Sequence, residues 1–230
     1  IDTTGGALTA GSDVNVTGSA AVTLADVTAT GAVDVTGATA VTLNGAVSGA
    51  TVNVESTTAN LDIRNTVTST VGNLTLISAT DITTTAAGEL SAEETATLTA
   101  GGNIALLAEV EGAAVTMTAQ GSVSVTEVTA EDADVTIDAG TTFTNTGALN
   151  APNGAITIIA DDIITGGAAV ASNSVAFISD TDVTIGDVIT AGGTLIIVAD
   201  ADSNGAGNVS ATASLTGGDV VITGQNVSTD

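Results

Sequence analysis

Two stretches decide the fold: Val14-Asn-Val-Thr-Gly-Ser-Ala-Ala-Val22-Thr-Leu24 and, nineteen residues on, Val33-Asp-Val-Thr-Gly-Ala-Thr-Ala-Val41-Thr-Leu43. Apolar side chains in both alternate with small polar ones, the period-two pattern of a strand with one buried face. Gly, Thr and Val are abundant, and they disfavour helix through backbone entropy or crowding at χ1. No helix is expected anywhere in the chain.

The leading doublet recurs through the chain, as Val14/Val16, Val33/Val35, Val52/Val54, Leu74/Leu76, Ala96/Leu98, Val115/Met117, Val135/Ile137, Ile156/Ile158, Val175/Phe177, Leu195/Ile197 and Val220/Ile222. Successive anchors lie 19, 19, 22, 22, 19, 20, 21, 19, 20 and 25 residues apart, within the range of repeat architectures. A second apolar position follows each anchor by about eight residues: Val22, Val41, Leu61, Ile82, Ile104, Val123, Phe143, Ile164 and Val183. A third follows at Val27, Val47, Val67, Leu90, Val110, Val128, Leu149, Val170, Val188 and Val209. Three short strands, turned by Gly, Ala, Asn and Asp, describe one coil of a three-sided solenoid. Such a coil buries its inward residues only against the coils above and below, so stacking is obligatory.

The expected fold is therefore all-β. It is a right-handed parallel β-helix (β-solenoid) of about eleven coils of about twenty residues, one continuous domain over residues 1–230. At ~4.8 Å per coil the rod is roughly 50 Å long. The right hand is expected because left-handed solenoids follow strict six-residue units, whereas these spacings wander. An antiparallel sandwich would need hairpin turns, and Asn-Gly occurs only at Asn44, Asn153 and Asn204.

Composition narrows the chemistry. The chain holds 26 acidic residues and one basic residue, Arg64, for a net charge of -25, with no His, Cys, Trp or Tyr. Phosphate recognition needs clustered Lys and Arg, so no nucleic-acid partner is expected. Zinc, haem, iron–sulfur and Ser-His or Cys-His chemistry lack their side chains. A polysaccharide-cleaving reading would pair carboxylates with cationic and aromatic groups, which are missing, so no enzyme is expected. The most apolar stretch, around Leu195 to Ala199, is too short to span a bilayer. The β-branched apolar content argues against disorder.

Stretches such as Gly72-Asn-Leu-Thr-Leu-Ile-Ser-Ala-Thr-Asp81 and Gly147-Ala-Leu-Asn-Ala-Pro-Asn-Gly-Ala-Ile-Thr-Ile158 resemble the repeats of filamentous-haemagglutinin-type exoproteins, which are bacterial surface adhesins. The resemblance covers nearly the whole chain and implies an extracellular, fibrous, adhesive role. The secretion domain that opens such proteins is not evident, and Asn150-Ala-Pro-Asn-Gly154 only partly echoes its Asn-Pro motif. No functional residue is carried over.

Outward positions of the first strand stack Thr75, Thr97, Thr116, Thr136 and Thr157, and those of the second give Thr23, Thr42, Thr83, Ser124, Thr165 and Thr184. Stacked Thr suits an exposed pleated surface; an ice-binding face would need two unbroken ranks. Asp161/Asp162, Asp180/Asp182 and Asp200/Asp202 are expected at one corner of three successive coils, where like charges call for a neutraliser. Asp200-Ala-Asp202-Ser-Asn204-Gly205 matches the opening of a calcium loop. Position twelve of that motif is Ala211 instead of Glu. Asp200, Asp202 and Asn204 are thus candidate Ca²⁺ ligands, with a solvated polar turn as the other reading.

The chain starts at Ile1 without a signal segment, as a processed product or a piece of something longer would. With coils running almost to both termini, each end is expected to meet another coil, either a copy of itself or more of the same polypeptide. The expected function is an extracellular structural protein at the cell surface, a subunit of a self-assembling filament; the alternative is the stalk of a large adhesin. A surface glycan or another cell is an open partner.

Overall fold

The structure, a computed structural model, describes residues 1–229. Among these residues it contains 31 strands and no helix, and neighbouring strands pair in parallel. The chain is a β-solenoid of about eleven coils.

Face one is an 11-stranded sheet that runs unbroken from Val14–Gly18 to Asp219–Thr223. Its register places Val14 beside Val33, Val33 beside Val52, Val52 beside Leu74, and so on to Leu195 beside Val220. All eleven anchors therefore form one inward row. Faces two and three merge into a 20-stranded sheet, because Ile104–Gly112 and Val123–Ala130 each run straight across the corner that elsewhere separates two strands.

The inward rows are mainly aliphatic and, away from the terminal coils, buried, and they form one continuous core along the axis. Full burial of a Val, Leu or Ile side chain contributes ~1.5–3 kcal/mol, so the core's summed contribution scales with coil number. Small side chains line two inward columns where the chain turns. After face one the column runs Gly18, Gly37, Ser56, Ser78, Ala100, Ala119 and Ala139. Gly37 shows why: a Cβ there would lie 2.6 Å from Val41 Cγ2. The buried serines serve the turn as well, since Ser56 Oγ donates to Thr39 O and Ala59 O at 2.6 and 2.7 Å. A Cβ on Gly154 would meet Ala133 O at 1.8 Å. Gly154→Ala is therefore expected to cost ~1–3 kcal/mol, the range for overpacking, as a lowered urea midpoint.

The period-two reading slips in the upper coils. Phe143 pairs with Ile163, not Ile164, and Leu149 with Ala169, not Val170. Ala169 then pairs with Ile189, not Val188. Val209 lies beside Val183 on face two, and Leu215 takes the expected place on face three. Thr165 turns inward and is buried, so the outward row of face two carries Thr144 and Ile164 in its stead. The one-residue slips at Ile163, Ala169 and Ile189 share a cause: adjacent residues are both apolar or both small, so alternation alone leaves the phase open; Val209 falls on face two because the turn from Asp200 to Gly205 is inserted ahead of it.

Candidate functional site

The loop of Asp200, Asp202 and Asn204 is the insertion behind the longest coil spacing. It turns through three residues of positive φ: Asp200 at 65°, Ser203 at 58° and Gly205 at 82°. Its carboxylates point back at its own chain. Asp200 Oδ1 accepts Gly205 N at 2.9 Å, while Asp202 accepts Asn204 N on Oδ1 at 3.2 Å and Asn204 Nδ2 on Oδ2 at 2.7 Å. These are the bonds of a self-closing polar turn. Among the described residues no three His, Cys, Asp or Glu side chains gather as a metal-holding group. Asp200→Ala is expected to lower the thermal midpoint by the equivalent of ~1 kcal/mol, since Gly205 N loses its acceptor. Repeating the measurement in calcium and in chelator separates this turn contribution from a cation's contribution.

The acidic corner is built differently from the expectation. The row ahead of face two runs Asp162, Asp182, Asn208 and Asn226, so Asp200 and Asp202 lie outside it, in the inserted turn. Donors from the next coil reach the carboxylates of Asp162 and Asp182. Asp182 Oδ1 accepts Asn208 N at 2.9 Å and Asn208 Nδ2 at 3.0 Å, and Asn208 Oδ1 accepts Asn226 Nδ2 at 2.7 Å. Lower down, Asp81 Oδ1 accepts Asn103 N and Nδ2 at 2.7 and 3.0 Å. A short polar side chain here caps an amide of the coil above, so the spacing of Asp and Asn tracks the coil step.

The threonine row stands in register across five coils, from Thr75 beside Thr97 to Thr136 beside Thr157. Asn53, Asp34 and Asn15 continue it downward and Ala176, Ile196 and Val221 upward. The neighbouring outward rank holds Ile77, Thr99, Thr118, Asp138 and Ile159, so paired threonine ranks are confined to two coils.

A groove of about 380 Å³ on face three is lined by Glu109, Glu111, Thr129, Glu131, Asn150, Pro152 and Val170. It sits beside the straightened corner, where the register shifts between Leu106 and Glu109. Glu109 and Glu127 are register partners. Partial burial first, then the charges of Glu127, Glu111 and Glu89, hold the Glu109 carboxyl above the usual carboxylate range; a hydrogen bond from Thr129 works against this. The folded state therefore keeps this proton to higher pH than the unfolded chain does. The stabilisation is complete below the unfolded pKa and is lost as pH rises through the folded one. Glu109→Gln is expected to raise the midpoint at neutral pH by up to ~0.5 kcal/mol, with the gain fading on acidification. Thermal melts across the acidic range check this.

The inward row of face two is polar at three positions where the repeat calls for an aliphatic residue, Thr84, Asn145 and Thr165. Asn145 is buried between Val125 and Thr165, and its Nδ2 donates to Gly147 O at 2.7 Å and to Gly167 O in the next coil at 3.4 Å. Its Oδ1 has no partner among the described residues. Glu109 and Glu111 read in the sequence as a paired carboxylate on a solvated face, and Asn145 did not stand out. Its signal was an amide on a row whose other polar members are threonines, Thr84 and Thr165.

No helix among the described residues is long and apolar enough to cross a membrane. No family model, no curated protein and no solved structure matches the chain.

Proposed function

We propose that the chain is an extracellular structural rod, the subunit of a surface filament that grows by end-to-end stacking. One observation carries this reading. Val220 and Val227 are 47% and 48% exposed in the last coil, although Leu195 and Val209, one coil below in the same inward rows, are buried. The strands that bear them also present an open edge of N–H and C=O groups, which templates further strands. Another coil satisfies both needs at once. The side-chain inventory supports a structural role over a catalytic one, since a carboxylate is the only titrating group near neutral or acidic pH apart from the terminal amine.

The same geometry serves an adhesin stalk, in which the adjoining coil belongs to the same polypeptide. The adhesin-like repeat phrases favour this second reading. Negative-stain microscopy and sedimentation over a range of protein concentration and salt decide between them. Fibres with an axial repeat of roughly 50 Å are expected. Monodisperse short rods under all conditions would sink the filament and leave the stalk.

A further inference from the structure

Asn-Gly pairs occur at Asn44, Asn153 and Asn204. Such a pair is prone to ring closure: the glycine nitrogen attacks the side-chain Cγ of the asparagine, and glycine has no Cβ to hinder the approach. In an unfolded chain the three pairs react alike. The fold treats them differently.

Two pairs are locked between coils. Gly45 is buried; its N donates to Leu24 O at 3.4 Å, Asn44 N donates to the same oxygen at 2.8 Å, and a Cβ on Gly45 would run into Asp26 of the coil below. Gly154 is buried as well. Its N donates to Ala151 O at 3.2 Å, its carbonyl accepts Asn173 N at 3.0 Å, and a Cβ on it would run into Ala133 O. Asn153 Nδ2 also donates to Glu131 O at 2.7 Å. Neither glycine nitrogen can swing towards the preceding Cγ without breaking contacts between coils, so closure there waits on local opening.

The third pair lies in the inserted turn. Residues 201–206 are exposed, and a Cβ on Gly205 would meet nothing within 4 Å. Asn204 donates to Asp202 twice, from N to Oδ1 at 3.2 Å and from Nδ2 to Oδ2 at 2.7 Å, and both bonds stay within the turn. The acceptors of the three glycine nitrogens also differ in kind. Gly45 N and Gly154 N donate to backbone carbonyls, which are feeble bases. Gly205 N donates to Asp200 Oδ1 at 2.9 Å, a carboxylate able to take the proton. The positive φ of Asp200, Ser203 and Gly205 curls the turn so that these two groups meet.

We propose that Asn204-Gly205 is a self-modifying site, which closes to a cyclic imide in the folded rod while Asn44 and Asn153 are held back. Gly205 N passes its proton to Asp200 and bonds to Asn204 Cγ. The Cγ–Nδ2 bond breaks, the contact with Asp202 is given up, and the amine takes up a proton and leaves as ammonia. Water then opens the ring, leaving aspartate or isoaspartate at position 204. Each event adds a carboxylate to a turn that already holds Asp200 and Asp202, so modified rods separate by charge. This modification is independent of the end-to-end reading above.

The folded protein is incubated in mildly alkaline buffer and followed by anion exchange and by mass mapping of its peptides. Asn204 is expected to convert at least about tenfold faster than Asn44 and Asn153, which react only from opened states. In urea the three rates are expected to converge. Asp200→Asn keeps an acceptor for Gly205 N and suits the positive φ of position 200, but removes the base. It is expected to slow conversion at Asn204 roughly tenfold and to make the rate climb more steeply with pH, because hydroxide must then take the proton. Asn204→Gln, whose longer side chain closes a less favourable ring, should abolish the early change in charge. Equal rates at the three pairs in the folded rod would overturn the proposal, as would an unconverted Asn204 under conditions where the urea-unfolded chain reacts. Matching pH profiles for the parent and Asp200→Asn would overturn it too, since Asp200 then takes no proton.

Discussion

Ile163→Asp is expected to destabilise the rod by more than ~4 kcal/mol, whereas Ile164→Asp, one residue along, is expected to stay within ~0.5 kcal/mol of the parent. Ile163 is wholly buried between Phe143 and Val183, and Ile164 is 44% exposed. A carboxylate at Ile163 would be sealed in an aliphatic core with no cation within reach. At Ile164 it would join an exposed row. Urea unfolding of the two variants makes the comparison, and similar midpoints would mean that the register of coils seven to nine is misplaced. Hydrogen exchange adds a second readout. Each coil contacts only its neighbours, so the first variant should lose protection in the strands around residue 163 before the lower coils do.

The second large effect belongs to Phe177, one of the two aromatic residues. It lies fully buried on face one between Ile158 and Ile197. Phe177→Ala is expected to cost ~3–5 kcal/mol, combining lost burial with a cavity that the backbone cannot close. The inability to close follows from the architecture: coils are held apart at the strand spacing by continuous ladders, so facing side chains cannot move in. Phe177→Leu, which keeps most of the volume, is expected to cost under ~1.5 kcal/mol. Equal losses for Ala and Leu in denaturant unfolding would point to something other than packing at this site.

These two residues also mark what was legible in the sequence. Phe177 sits on the anchor row, and although its neighbours Ala176 and Ile178 are apolar, the recurrence of the doublet every twenty or so residues gave its inward direction. The whole of face one was readable in this way, including the threonine row, because side-chain direction has a strict period of two. The candidate site was less legible. Asp200, Asp202 and Asn204 do form a local turn, as their spacing implies, but their supposed stacking on Asp182 depended on counting residues through an insertion. Asn208 stands over Asp182 instead. Glu109 was unremarkable as a residue type; its environment arises from two strands that straighten across a corner and bring Glu127 beside it.

The repeat length, the three strands per coil, the parallel stacking and the all-β character were determined by the sequence itself, since apolar alternation recurring every twenty or so residues has few other ways to bury itself. The phase within ambiguous segments was decided only by the tertiary structure. In Asp162-Ile163-Ile164-Thr165 either isoleucine could face the core. The choice falls to the hydrogen-bond ladder, which sets Ile163 between Phe143 below and Val183 above. Inserted residues are absorbed in exposed corners such as Asp200 to Gly205, where a few polar bonds close the turn. The inward rows keep their register because losing it would turn every buried side chain of a strand to the opposite face.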